Sequence, residues 1–367
     1  MSSVFANVGA PHVSLRHVGL AKLVGLCQAL GYSDDRTQRS AAVFDLLTAG
    51  FGGRSTQPES SWQSDITDDG TPFEFSVAFH EGSTDLRMLV EAQESPSSLT
   101  SNWKAGREVN ASLRRAFGAS DEAFCRVADL FEPTSASRGL FALWHAAVLD
   151  EQGKALFKVY LNPCIHGSAA APGLAEEALN RLGRPDIWRF LAPRLAEPGT
   201  DLRYFSLDLD DSSNARVKVY LGRSDSVDRV ARLAHGASNI RPGDVESWVT
   251  TLADRSSDFD ERPILTCFAF TALDESPSVT VHVPVRCYLP DDQQAAERVQ
   301  RFLGAKDAAT FDRVVSALSP CALRDNRGLI TYASLRREKR GDLRVTTYLA
   351  PQAFSLGATS HTASTRG

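Results

Sequence analysis

The sequence predicts an α+β fold: a ten-stranded antiparallel β-barrel with a lined central chamber, surrounded by helices and built from five strand–strand–helix–helix repeats. Three observations lead there. Four segments end alike: FKVYLNP (157–163), VKVYLGR (217–223), VRCYLPD (285–291) and VTTYLAP (345–351). Each follows, across a polar turn, a second run that alternates as a strand does. Between these pairs lie stretches of helical period.

The strands pair in order. FEFSVAF joins LRMLVEA (86–92), a fifth member of the series that has no tyrosine. LFALWHAAVLD joins KALFKVYL, RYFSLDLD joins ARVKVYL, ILTCFAFTAL joins VTVHVPVRCYL, and LITYASLRRE joins LRVTTYLA. The turns EGSTD, DEQGK, DDSSN and KRGD carry hairpin residues; the fourth, DESPS, is looser. The repeated tyrosines Tyr160, Tyr220, Tyr288 and Tyr348 stand 60, 68 and 60 residues apart, in a chain with seven tyrosines in all, so a shared register is the economical reading.

Helical stripes run through Leu15, Val18, Leu23, Leu26 and Leu30, through Val227, Val230, Ala231 and Ala234, and through Ala295, Val299, Phe302 and Leu303. Gly31, Gly118, Gly183 and Gly304 stand where helices should stop. One strand face is apolar (Phe73, Phe75, Val77, Phe79; Phe157, Val159, Leu161; Val217, Val219, Leu221) and suits packing on the helices. The other carries Glu74, Arg87, Lys158, Tyr160, Arg216, Lys218, Tyr220, Arg286 and Tyr288. On an open sheet that face would meet water. Recurrent phenols joined by cations from several hairpins read instead as the lining of a closed lumen. Residues 1–355 are expected to form one such domain, with a small, polar, disordered tail at 356–367.

Composition narrows the function. The 367 residues carry a formal charge of −5 with no polybasic tract, which argues against a nucleic-acid or membrane-surface partner. Mean hydropathy is −0.21 and no long apolar run appears, so no membrane span is expected. The first residues lack an export signal, and six scattered cysteines with no C-x-x-C pair read as reduced core thiols in a cytoplasm.

A lumen holding Arg87, Lys158, Arg216, Lys218, Arg286 and Arg344 has an excess of positive charge, because Glu74, Glu91 and Asp208 are too few to match it. A bound anion such as a diphosphate completes the balance. Phenols add what anion binding does not need: faces that stabilise a carbocation while excluding water. Asp291-Asp292 and Asp210-Asp211 lack the arrangement of a magnesium motif, so no metal ligands are assigned. Glu91 and Asp208 are expected as structural partners of the basic residues. Trp144, Trp188 and Trp248 are expected to pack, and His80 and His145 to be satisfied polar groups.

Most of the chain resembles the aromatic prenyltransferases of the ABBA (PT-barrel) fold, of the dimethylallyltryptophan synthase type in its shorter bacterial form. The resemblance rests on PFEFS (72–76), KVYLNP (158–163), ARVKVYL (215–221), VRCYL (285–289) and TTYLAP (346–351), in matching order over about 280 residues. It implies a metal-independent enzyme with no cofactor, moving a dimethylallyl group from its diphosphate to the indole of tryptophan or a tryptophan-derived compound, as a monomer or homodimer.

It further implies that Glu74 and Lys158 are catalytic, Glu74 bonding the indole N–H. Arg87, Lys158, Arg216, Lys218 and Arg286 would hold the diphosphate, with Tyr160, Tyr220, Tyr288 and Tyr348 around the cation. Arg344 replaces a tyrosine common in the family, and Arg203 falls where some tryptophan-using members clamp the substrate carboxylate. Two other readings stay open: the same barrel acting on a phenol, naphthol or phenazine, and a non-catalytic barrel carrying an anionic lipid or metabolite.

Overall fold

The computed structural model describes residues 13–56, 62–80, 82–150 and 154–354; the tail expected to be disordered lies outside them. Ten strands form the five anticipated hairpins: β1 (Phe73–His80) with β2 (Ser83–Glu91), β3 (Leu143–Leu149) with β4 (Ala155–Leu161), β5 (Thr200–Asp208) with β6 (Val217–Arg223), β7 (Ile264–Phe270) with β8 (Ser278–Val283), and β9 (Ile330–Arg337) with β10 (Leu343–Leu349). Each is antiparallel to its neighbours, and β1 pairs with β10, so the sheet closes into a barrel.

A helix pair precedes every hairpin. The pairs are α1 (Leu15–Ala29) and α2 (Asp34–Thr48), α3 (Leu99–Phe117) and α4 (Glu122–Phe131), and α5 (Ala171–Arg181) and α6 (Pro185–Leu195). Next come α7 (Val227–Ala234) and α8 (Asp244–Ala253), and then, after a four-residue helix α9 (Val285–Tyr288), α10 (Asp292–Gln300) and α11 (Ala305–Leu318). Gly118 ends α3 in the left-handed region at φ 69°. Gly304 does not end a helix: it is the extended N-cap residue of α11.

The core lies between barrel and helices, because the outward strand positions are the apolar ones. Phe44 of α2 meets Phe73 and Phe75 at 5.1 and 5.7 Å between ring centres. Phe79 meets Phe311 of α11, Phe205 meets Phe131 of α4, and Phe268 meets Phe190 of α6. Rings of this size bury enough apolar surface to bind each helix layer to the strands beneath. Of the six cysteines, Cys27, Cys267 and Cys287 are buried, whereas Cys125 and Cys321 are exposed, which corrects the reading of all six as core thiols.

One strand assignment changes. The VRCYL segment is not a strand: β8 stops at Val283, and residues 285–288 form α9. Pro284 has no N–H to give a ladder and begins the turn. Arg286 and Tyr288 therefore leave the register of the other repeated pairs. The residues that hold that register are Thr280, opposite Cys267, and His282, opposite Ser334.

The Asp291-Asp292 pair has a structural task. Asp291 caps α10 by accepting from Gln294 N–H at 2.9 Å. Asp292, buried, accepts from the N–H groups of Leu329 (3.1 Å) and Ile330 (2.9 Å) where β9 begins. Asp292→Ala strands both donors at a cost of about 1–3 kcal/mol each. Denaturant unfolding should show that loss, and Asp292→Asn a smaller one; an unchanged midpoint would mean that the clamp contributes nothing.

Candidate active site

Alternation along the strands brings one basic face together at one end of the lumen. Arg87 comes from β2, Lys158 from β4, Arg216 from the residue just before β6, Lys218 from β6 itself, and Arg336 and Arg344 from β9 and β10. They line a cavity of about 240 Å³. Four carboxylates stand near: Asp85, Asp150, Asp208 and Glu338. Asp208 binds Arg216 at 2.6 Å, as anticipated. Asp85 lies 3.0 Å from Arg344 and 3.5 Å from Arg87, and Glu338 bridges Arg336 (2.9 Å) and Arg344 (3.1 Å).

Among the described residues, Lys158 and Lys218 have no carboxylate at ion-pair distance. Both are held below the usual lysine range. Burial acts first on Lys158, then its neighbours Lys218, Arg87 and Arg216. Burial, followed by Arg216, brings Lys218 down to about 8. The pocket is thus short of negative charge, as the sequence led us to expect.

Above the cations runs a belt of rings. The Tyr160 and Tyr220 hydroxyls are 3.3 Å apart. Tyr220 lies 5.6 Å from His282, His282 lies 5.7 Å from Tyr348, and Tyr348 lies 6.3 Å from Tyr332. Tyr204 closes on Tyr160 and Tyr220 at 6.5 and 5.7 Å. Burial pushes the phenols of Tyr348 and Tyr332 up to about 12, and those of Tyr160 and Tyr204 higher still, so all four keep their protons. Tyr288 is not in this belt: its hydroxyl bonds the backbone of Arg262.

Glu74 stands on the inner face of β1, buried between outward-facing Phe73 and Phe75. Its Oε2 accepts from the Thr331 hydroxyl at 2.7 Å. A slip in the β9–β10 register, where Tyr348 pairs with Tyr332 but Leu349 with Ile330, skips Thr331 and puts its hydroxyl within reach of Glu74. Burial raises the carboxyl to about 8, against the opposing pull of that bond and of Arg286 and Arg262. Arg286, bound to Asp68, therefore belongs to the Glu74 end and not to the basic pocket.

A second cavity of about 420 Å³ includes Phe141, Tyr204, Arg262 and Tyr332 in its wall. Trp144 packs as expected, but inside the barrel, stacked on Phe141 at 4.0 Å and 5.5 Å from Tyr204. Arg203 sits on the rim as the skipped residue of a second bulge, between Leu202 opposite Leu221 and Tyr204 opposite Tyr220. It is half-exposed and bound to Asp201 at 2.8 Å. Both register slips thus deliver a side chain to the site.

Two other assignments can be scored. Glu91 is fully buried, but its partners are Gln93 (3.1 Å) and the Trp62 indole N–H (3.3 Å) rather than a cation, and burial raises it to about 7. His80 faces Asp85 at 3.3 Å, as anticipated, whereas His145 is met only on one side: its Nε2 bonds Asn110 at 2.9 Å and its buried Nδ1 has no hydrogen-bond partner among the described residues. Sequence reading missed Thr280, His282, Tyr204, Tyr332, Arg262 and Arg336. A signal for His282 was present: Tyr160, Tyr220, His282 and Tyr348 follow at 60, 62 and 66 residues, more evenly than with Tyr288.

A closed ten-strand barrel wrapped in helix pairs, with an arginine–lysine pocket under a belt of phenols, defines an aromatic prenyltransferase. The sequence model described as tryptophan dimethylallyltransferase matches residues 20–315, and the chain belongs to that family.

The chain is similar to a 6-dimethylallyltryptophan synthase from Micromonospora olivasterospora, solved in complex with DMASPP and Trp: 32% identity, TM-score 0.85, covering 93% of this chain and 98% of that one. A 5-dimethylallyl tryptophan synthase from Streptomyces coelicolor, also solved with DMASPP and Trp, shows 30% identity and a TM-score of 0.87 over 97% of this chain and 100% of that one. More distant is xanthone prenyltransferase B of Emericella nidulans, 24% identical over 83% of this chain and 80% of its own length.

Proposed function

We propose that this protein transfers the dimethylallyl group of dimethylallyl diphosphate to the indole of tryptophan or a tryptophan-derived compound by electrophilic aromatic substitution. One observation carries the reading: a buried carboxyl, Glu74, and two unpaired lysines, Lys158 and Lys218, share one lumen belted by tyrosines. The names of the similar synthases support it.

The diphosphate oxygens bind Arg87, Lys158, Arg216 and Lys218, with Arg336 and Arg344 behind them. These cations stabilise the leaving group as the C1–O bond breaks. Tyr160, Tyr220 and Tyr348, extended by Tyr204 and Tyr332, surround the allylic cation. The indole lies toward Glu74, whose carboxylate accepts its N–H and withdraws charge as the new bond to the ring forms. The proton displaced from the ring carbon passes to Glu74, or to Lys158 after that lysine has given its own proton to the diphosphate it binds. On the rim, Arg203 exchanges its Asp201 partner for the carboxylate of free tryptophan in this reading.

The reaction as drawn needs no metal. Arginine and lysine occupy the place where a cation must meet the diphosphate. Both aspartate pairs have other uses: Asp291 and Asp292 hold α10 and β9, and Asp210 closes a turn through Ser212. Among the described residues no group of three or more His, Cys, Asp or Glu could hold a metal ion, and no helix is long and apolar enough to cross a membrane. Six free cysteines and a diphosphate substrate suit a cytoplasmic reaction.

Incubation with dimethylallyl diphosphate, tryptophan and EDTA, followed by mass spectrometry, tests the whole reading. One C5 unit gained by tryptophan is the expected result. Product only on phenols or naphthols would replace the acceptor, and bound diphosphate without any product would indicate a carrier.

The pH response of the donor has a definite sign. Lys218 is a cation below about 8 and loses its charge above it, so kcat/KM for dimethylallyl diphosphate falls above about pH 8. Lys218→Arg keeps the charge at all accessible pH and should shift that limb upward by a unit or more. A limb that does not move would remove Lys218 from diphosphate binding.

A further inference from the structure

The ring belt has one member that is not a phenol. In the second and third hairpins a lysine and a tyrosine two residues apart face the lumen: Lys158 with Tyr160, and Lys218 with Tyr220. In the fourth the corresponding pair is Thr280 and His282. That hairpin has lost its lysine, and an imidazole occupies the tyrosine position. The fourth hairpin is thus the one of these three with no lysine on the lumen face.

His282 is enclosed between Tyr220 and Tyr348, and its ring lines the basic cavity. Among the described residues, neither ring nitrogen has a protein hydrogen-bond partner. Most of the groups that share its wall are basic or weakly acidic. Cys267 lies on β7, and Ser334 and Arg336 on β9. Lys218 and Tyr220 come from β6, Lys158 from β4, Arg87 from β2, and Arg344 and Tyr348 from β10. Helix α8 packs against the opposite face of β8, where Asp244 is taken up by Arg337 at 2.6 Å. Two carboxylates share the cavity wall: Asp85, held by Arg344 at 3.0 Å and Arg87 at 3.5 Å, and Asp150, which accepts from the Lys154 N–H at 2.8 Å; among the described residues neither is at ion-pair distance from His282. In the free protein, burial and then Lys218, Lys158 and Arg87 hold the imidazole far down, at about 3, so it is neutral at any ordinary pH.

A diphosphate in this cavity reverses the local field. It brings about three negative charges to the same lysines and arginines. A proton on His282, unfavourable before, then meets an oxyanion, and its N–H gains an acceptor. Charge on this hairpin would exist only while the anion does.

We propose that His282 takes up one proton from solvent when the diphosphate binds and, as imidazolium, donates a hydrogen bond to the leaving group. The proposal rests on the diphosphate reading of this cavity. On C–O cleavage the diphosphate gains one negative charge and the allylic fragment one positive charge. The imidazolium keeps its proton through this step and neutralises part of the new charge, releasing it to solvent when the diphosphate leaves the site. A second benefit follows. A neutral imidazole is a strong nucleophile beside a forming allylic cation, whereas an imidazolium has no free lone pair to be alkylated.

The test uses the full-length protein with its histidine rings labelled with ¹⁵N and inorganic pyrophosphate as the probe. His282 is assigned by the signals lost in His282→Gln. At about pH 7.5 the His282 ring should read as neutral alone and as imidazolium at saturating pyrophosphate. A ring that stays neutral in the saturated complex, or is already charged without ligand, overturns the proposal while leaving the diphosphate site standing. Failure of pyrophosphate to bind at all sinks the diphosphate reading and this inference with it.

His282→Tyr, which restores the phenol of the other hairpins, provides a functional readout. It should weaken pyrophosphate about tenfold near pH 6.5, the effect of one charge-assisted hydrogen bond. The deficit should shrink as pH rises and the wild-type proton is lost. Equal affinity at every pH would also count against the imidazolium.

Discussion

Glu74→Gln lowers turnover by about 10²–10⁴-fold, the range spanned by positioned acid–base groups, while pyrophosphate affinity stays within a factor of two. The amide keeps the shape of the side chain and can still meet the Thr331 hydroxyl. What it cannot do is the task proposed for Glu74, to carry negative charge against the indole N–H as the ring becomes electron-poor. The second half of the expectation follows because Glu74 does not line the basic pocket and is not paired with Lys158 or Lys218. A pH profile adds a check. Because burial raises the Glu74 carboxyl to about 8, the carboxylate form grows as pH rises toward that value, and kcat/KM for the acceptor should climb with it. The limb should vanish in Glu74→Gln. Equal loss of turnover and pyrophosphate binding would show that the substitution damages the lumen as a whole, and the assigned role would fall.

Lys218→Ala should weaken pyrophosphate binding about 10–100-fold, as expected for a charge-assisted contact to a buried oxyanion, and lower kcat by a comparable or larger factor because the same contact strengthens as the C–O bond breaks. The free protein should not lose stability. Lys218 is buried beside Arg216 and near Arg87 with no carboxylate at ion-pair distance among the described residues, so removing it relieves repulsion at the expense of a modest void. Binding isotherms, single-turnover rates and denaturant unfolding separate these effects. Unchanged activity in a protein that has become more stable would mean that the pocket is not where the diphosphate goes.

Sequence reasoning worked best where the physics is local. Alternation of Phe73, Phe75, Val77 and Phe79 placed Glu74 on the opposite face without any knowledge of the partner strand, and the same parity set Lys158, Tyr160, Lys218 and Tyr220 inward. It failed where a side chain was recognised by identity instead of register. The eye follows Tyr-Leu, so VRCYL displaced VTVHV, although Pro284 marks the end of the strand and the spacing to His282 is the more regular. Long-range partners were beyond reach. Nothing near Glu91 in the chain names Trp62 as its donor, and nothing near Glu74 names Thr331, 257 residues later. The bulge that positions Thr331 is likewise a property of two paired strands, not of either one.

The pairing of β1 with β10 has a consequence for biosynthesis. Four neighbouring hairpins can associate as they emerge from the ribosome, yet the seam joining Phe75–Phe79 to Val345–Leu349 must wait for the final segment. Until then two sheet margins stay unsatisfied and sticky. Glu74 also lacks its hydroxyl donor from the last hairpin during that interval. A nascent polypeptide stopped before residue 343 should therefore be both aggregation-prone and inert, and chaperone dependence during translation should be greatest just before the seam zips shut.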